Sequence, residues 1–171
     1  MGLELEHQNR SFGKTMVGDR CNQTGVYNRN CKLNVLLGIS GCDIDRSRWL
    51  ETWTGEGTTL NRFYDFIERV VGDINERFPG RVFTFTMDNL NSHKNALVVG
   101  LIIDGGHKVV YRAPYWAVDG AIEYVFNTVH TLIEVLFNQI QNMEDLILAV
   151  DHVISTLHSF RSYFEHVGFN Y

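Results

Sequence analysis

The spacing of apolar positions shifts along the chain, and each shift marks an element. Residues 1–31 are polar and rich in Gly and Asn, with only short apolar pieces. KLNVLLGIS (32–40) is a short apolar run closed by Ser40 and Gly41, which predicts a buried strand. RWLETW (48–53) alternates well enough for a second strand, closed by the turn TGEGTT. From Thr59 the period lengthens: Leu60, Phe63, Phe66, Ile67, Val70, Val71, Ile74 and Phe78 fall at steps of three and four. That pattern is an amphipathic helix with Thr58 or Thr59 as N-cap, stopped by Pro79–Gly80.

Beyond the stop, VFTFTM (82–87) is β-branched and aromatic and predicts a strand. A short helix over 94–104, ended by Gly105–Gly106, leads to a further strand, KVVYRA (108–113). Two longer helices close the chain. One carries the stripe Ile122, Val125, Val129, Leu132, Ile133, Leu136 and Ile140. The other carries Leu146, Ile147, Val150, Val153, Ile154, Leu157, Phe160 and Phe164. A short connection makes them an antiparallel hairpin whose stripes are core. Strands alternating with helices from about residue 82 predict an α/β fold with parallel pairing there. In such sheets the site lies beyond the carboxyl ends of the strands, where Asp88 and the segment Arg112–Tyr115 both fall.

Composition narrows the class. A chain of 171 residues with 44% hydrophobic and 12% aromatic content is one ordinary domain, 1–171, with its helical part at 118–171. Two prolines exclude a proline-rich or collagen-like chain, and no apolar run is long enough for a membrane span, so no membrane partner is expected. MGLELEHQNR lacks the basic and apolar regions of a secretory signal. Cys21, Cys31 and Cys42 are an odd set without CxxC spacing and read as reduced thiols of an intracellular protein. The net charge of −5 is uneven: residues 118–171 hold seven acids and one arginine, whereas residues 1–117 hold thirteen acids and fourteen bases. A phosphate-facing surface belongs to the first two thirds.

FTMDNLNSHKN (85–95) and YRAPYWAVDGAIEYVFN (111–127) carry the candidate chemistry. Asp88 follows a hydrophobic strand directly, and Glu123 opens a helix with 34 residues between them. Taken singly, each acid has a plainer reading. Asp88 suits an Asx-turn or N-cap, and Glu123 suits the helix dipole. The strand–helix–strand unit between them nevertheless brings both to one edge of the sheet. His93, Lys94, Lys108 and Arg112 lie near enough to meet a carboxylate or phosphate, and Tyr115 and Trp116 suit base stacking or loop packing.

On these residues the chain resembles the catalytic domain of the DDE transposases of the mariner-like superfamily and its bacterial insertion-sequence relatives. The family's strand ending in "DN" with a nearby His is matched by Asp88, Asn89 and His93. Its "PPYSPDLNPIE" type loop is matched by APYWAVDGAIE (113–123), at the family's usual interval. NRSFGKTMVGDRC (9–21) resembles the family's "NRxYGxxxxGxR" stretch. The resemblance implies an RNase H-like mixed sheet flanked by helices and a site of three acids holding two Mg2+ or Mn2+ ions. It also implies cleavage and transfer of DNA strands at transposon ends. Asp88 and Glu123 would be the second and third acids, and Asn89, His93, Lys94, Arg112, Tyr115 and Trp116 the DNA-facing set. Partners would be transposon-end DNA and a second copy or full-length transposase, in the nucleus if the source is eukaryotic.

The chain departs from that pattern in two places. The first acid and the central strand carrying it are not visible; Glu4, Glu6, Asp43 and Asp45 are substitutes in principle, but none ends a clear strand. In the loop, Ala113, Trp116, Ala117, Gly120 and Ala121 stand where the pattern has Pro, Ser, Pro, Asn and Pro. The expectation is therefore a partial catalytic domain, inactive by itself. The alternatives are a regulatory fragment that binds full-length transposase through the helical hairpin, or a transposable-element remnant.

Overall fold

The computed structural model describes residues 2–4 (backbone only), 32–42, 48–113, 120–136 and 139–169. Two small sheets and five helices make up these residues. The first sheet contains β1 (Gly2–Glu4), β2 (Lys32–Ile39) and β3 (Arg48–Thr54), all antiparallel, in that order. The second pairs β4 (Thr84–Met87) with β5 (Lys108–Tyr111) in parallel, from Thr84↔Lys108 to Met87↔Tyr111. Helices α1 (Leu60–Arg77) and α2 (Ala96–Asp104) surround β4 in sequence. They are followed after β5 by α3 (Ala121–Leu136), α4 (Met143–Thr156) and α5 (Arg161–His166).

Strand β2 feeds two cores because alternate side chains leave opposite faces. Leu33 and Val35, with Leu37 and Ile39 beside them, join Val125, Val129, Leu146, Val150, Ile154 and Phe160 of the C-terminal helices. Leu36, one step out of phase, joins Phe63, Phe66, Ile67, Val70, Val98 and Ile102 of α1 and α2, together with Phe85, Met87 and Val109 of the parallel pair. The buried Asn34 breaks this apolar pattern. Its amide donates to the carbonyls of Gly55 (3.2 Å) and Glu56 (3.3 Å) and ties the turn after β3 to the sheet.

Local signals set the helix ends. Thr59 is the N-cap of α1, its hydroxyl accepting from Arg62 N at 3.3 Å, and the chain turns at Gly80 with φ 77°. Asn95 caps α2 by accepting from Leu97 N at 3.0 Å. The α2 segment thus runs from Ala96 rather than from residue 94 as the sequence suggests.

Three expectations need correction. A short strand does precede β2: Gly2–Glu4 pairs with Lys32–Asn34, so Glu4, expected to end no clear strand, is the last residue of one. Three residues are too few for a periodicity to register. The second long C-terminal helix is two helices, α4 and α5, separated at 157–160. Ser155, Thr156, His158 and Ser159 are weak helix formers, and the break carries Phe160 into the core at 1% exposure. Helix α5 then returns to α3, where Tyr163 Oη lies 3.2 Å from Thr128 Oγ1. A pair of helices is therefore a three-helix layer. Finally, Ile140 lies beyond the end of α3 at Leu136, although it still packs on the same cluster. No described helix is long and apolar enough to cross a membrane.

Candidate carboxylate site at the sheet edge

The β4–α2–β5 unit fixes the geometry. Parallel register places Asp88 and Arg112 as the first residues past the carboxyl ends of two adjacent strands. The backbone of Arg112 continues the pairing by donating its N–H to Met87 O at 2.9 Å. Asn89 closes the same edge, its amide donating to the carbonyl of Arg112. The neighbouring "DN" residues thus serve different ends: Asn89 ties the two strand ends together, and Asp88 faces the loop that follows.

Asp88 is half-exposed. Its Oδ1 accepts from Leu90 N at 3.1 Å, the Asx-turn geometry of the plainer reading. The same oxygen lies 2.6 Å from His93 Nδ1, a close electrostatic contact without hydrogen-bond alignment. His93 is itself held from two sides. Its ring lies against Phe63 of α1 at 4.4 Å between centroids, and its carbonyl accepts from Tyr111 Oη at 2.9 Å. Lys94 is exposed, with its ammonium 5.7 Å from the Tyr111 ring centroid.

Glu123 lies in the first turn of α3 and pairs with Arg112, whose Nη2 donates to Oε1 at 3.1 Å. The arginine side chain is only 10% exposed, against 45% for the glutamate. Its guanidinium is turned inward against Gly120 rather than offered to solvent. A Cβ at Gly120 would stand 1.7 Å from Arg112 Nη1 and 2.8 Å from Cζ, so glycine is needed for this approach. Among the described residues Nη1 is buried there without an acceptor. Glu123 is thus tied to the end of β5 through Arg112, whose carbonyl accepts from Asn89, the neighbour of Asp88. Tyr115 and Trp116 lie outside the described residues, as do the 9–21 stretch, Glu6, Asp43 and Asp45.

The sequence reading missed two features here. One is the inward turn of Arg112, for which glycine in place of asparagine at position 120 is the available signal. The other is His107, 5% exposed between Phe83 and Phe85, whose Nδ1 accepts from Phe83 N at 3.4 Å. Burial pushes its pKa below the ordinary value.

Divalent metals of the Mg2+ and Mn2+ type need several hard oxygen donors converging from different sides. Asp88 and Glu123 supply suitable carboxylates. Among the described residues, however, no group of three or more His, Cys, Asp or Glu converges, and Glu123 already faces a guanidinium. The described residues do not fit a metal pair.

No known protein-family profile matches the chain, and no curated protein matches it. Among solved structures it is similar to the Mos1 mariner paired-end complex with Mn, with a TM-score of 0.52 and 14% identity. The match covers 100% of this chain and 54% of that one, so the chain spans about half the length of its structural neighbour. At this identity the likeness is one of fold: the mixed α/β arrangement resembles that of this neighbour.

Proposed function

We propose that the chain is a transposase catalytic domain of the DDE type, with an RNase H-like arrangement and with DNA as its partner. The observation that carries this reading is the fold likeness over the whole chain to a mariner paired-end complex. It is supported by the parallel register that puts Asp88 and Arg112 past adjacent strand ends and by the bond from Arg112 to Glu123. In this reading Asp88 and Glu123 are the second and third acids of the family's site. Lys94, exposed beside His93, is the phosphate-facing cation, with Asn89 and His93 framing the edge. Tyr115 and Trp116 are the stacking residues of the loop.

Among the described residues no third acid joins Asp88 and Glu123, and two carboxylates hold a pair of divalent ions poorly, so in this reading the chain is inactive by itself. The test is nicking of mariner-type transposon-end DNA in Mg2+ or Mn2+, comparing this chain with one extended upstream by a strand ending in Asp-Glu. No cutting by the present chain and cutting by the extended one is the expected result. Robust cutting by the present chain overturns the inactivity, and no cutting or DNA binding by either overturns the transposase reading.

One observation favours a non-catalytic role in addition. Val135 of α3 and Leu148 of α4 are 74% and 63% exposed, and in this second reading they are the apolar positions of the helical layer that a second transposase copy covers. Co-purification of the chain with full-length transposase, lost on Val135→Glu and Leu148→Glu, is the expected outcome.

A further inference from the structure

We infer that Arg112 is a built-in counter-ion that closes Glu123 to divalent cations. The inference deepens the reading above and rests on it for the pairing of Glu123 with Asp88. Three independent observations carry it. The guanidinium Nη2 lies 3.1 Å from Glu123 Oε1 and its side chain is nine-tenths buried, so the positive charge is fixed beside the carboxylate. The root of the side chain is also fixed, by the bond from its N–H to Met87 O and by the bond its carbonyl accepts from Asn89. Gly120 then covers the guanidinium so closely that any Cβ would collide with it. With Nη1 buried and lacking an acceptor among the described residues, packing sets this position, not a saturated set of hydrogen bonds.

A divalent ion approaching Glu123 meets two obstacles. One carboxylate oxygen is taken by a charge-assisted hydrogen bond, and a like charge stands within a few ångströms of where the ion would sit. A cation bound by Asp88 and Glu123 therefore requires Arg112 to leave. Since a substituted Arg112 frees both the oxygen and the charge, the blockade is reversible by one mutation. Gly120→Ala tests the same point differently: it keeps the arginine but displaces its guanidinium, the far end of a flexible side chain.

The experiment is a Mn2+ titration of the full chain, with free Mn2+ read by electron paramagnetic resonance. Thermal melting checks that each variant is folded. Arg112→Gln and Gly120→Ala should each tighten Mn2+ binding about tenfold, the order expected when a like charge leaves the neighbourhood of a divalent ion in a half-exposed site. Adding Glu123→Gln to either should abolish the gain. Unchanged Mn2+ affinity in both folded single variants, or a gain that survives Glu123→Gln, overturns the inference. If Arg112→Gln fails to fold, Gly120→Ala decides. Asp88→Asn in the Arg112→Gln background separates the two claims. Lost affinity supports the carboxylate pair, whereas retained affinity that still needs Glu123 leaves the counter-ion standing and removes Asp88 from the site.

Discussion

The C-terminal helical layer and the carboxyl edge of the parallel pair are held together by different physics. In the layer, Val125, Val129, Val150, Ile154 and Phe160 are all but fully buried, and apolar contact does the work. At the edge, Asp88, Asn89, His93, Arg112 and Glu123 are joined by hydrogen bonds and charge, with both acids half-exposed. Burial is strong and nonspecific, whereas polar contacts near solvent contribute little stability but fix direction. The layer should therefore govern whether the chain folds, and the edge should govern what it binds.

That contrast is open to test. Phe160→Ala should have the largest effect, a loss of about 3–5 kcal/mol in urea unfolding, because it empties the centre of the C-terminal core. Ile102→Ala, in the other core, should lose about 2–5 kcal/mol. Removing caps should cost less: Thr59→Ala or Asn142→Ala about 1 kcal/mol each, read the same way. At the edge, Asn89→Ala should also lose only about 1 kcal/mol. A loss there equal to that of Phe160→Ala would break the contrast by making the edge part of the folding core.

His107 sharpens the comparison because it is a titratable group inside an apolar cluster. Its pKa is lowered by burial from the ordinary value of 6.5, so the folded state favours the neutral ring and the unfolded chain binds the extra proton first. Its contribution is complete above about pH 6.5 and is lost as pH falls from there through the folded-state pKa. Between about pH 7.5 and about pH 5.5, the wild type should lose more stability than His107→Gln in parallel urea titrations. Equal losses would show that His107 is not the source.

Legibility in the sequence follows the same division. Helix α1 is plain because its stripe, cap and Pro79–Gly80 stop agree. The α4–α5 break is hidden because Val153, Ile154, Leu157, Phe160 and Phe164 stay in helical phase across it. What decides the break is the burial of Phe160 and the meeting of Tyr163 with Thr128, neither of which is local. At the site, Asp88 and Glu123 are visible as acids at a strand end and a helix start. The role of Arg112 is not, since an arginine past a strand end looks like a phosphate contact. Its inward turn depends on the missing Cβ of a glycine eight positions later in the chain, at Gly120.

A crystal structure of the chain soaked in Mn2+, with the anomalous signal mapped at the sheet edge, tests the central claim most directly. The account predicts Arg112 on Glu123, Asp88 on the same edge, and no manganese peak between the carboxylates. A manganese ion bridging Asp88 and Glu123 with Arg112 swung away, or the two acids on opposite faces of the sheet, would contradict it.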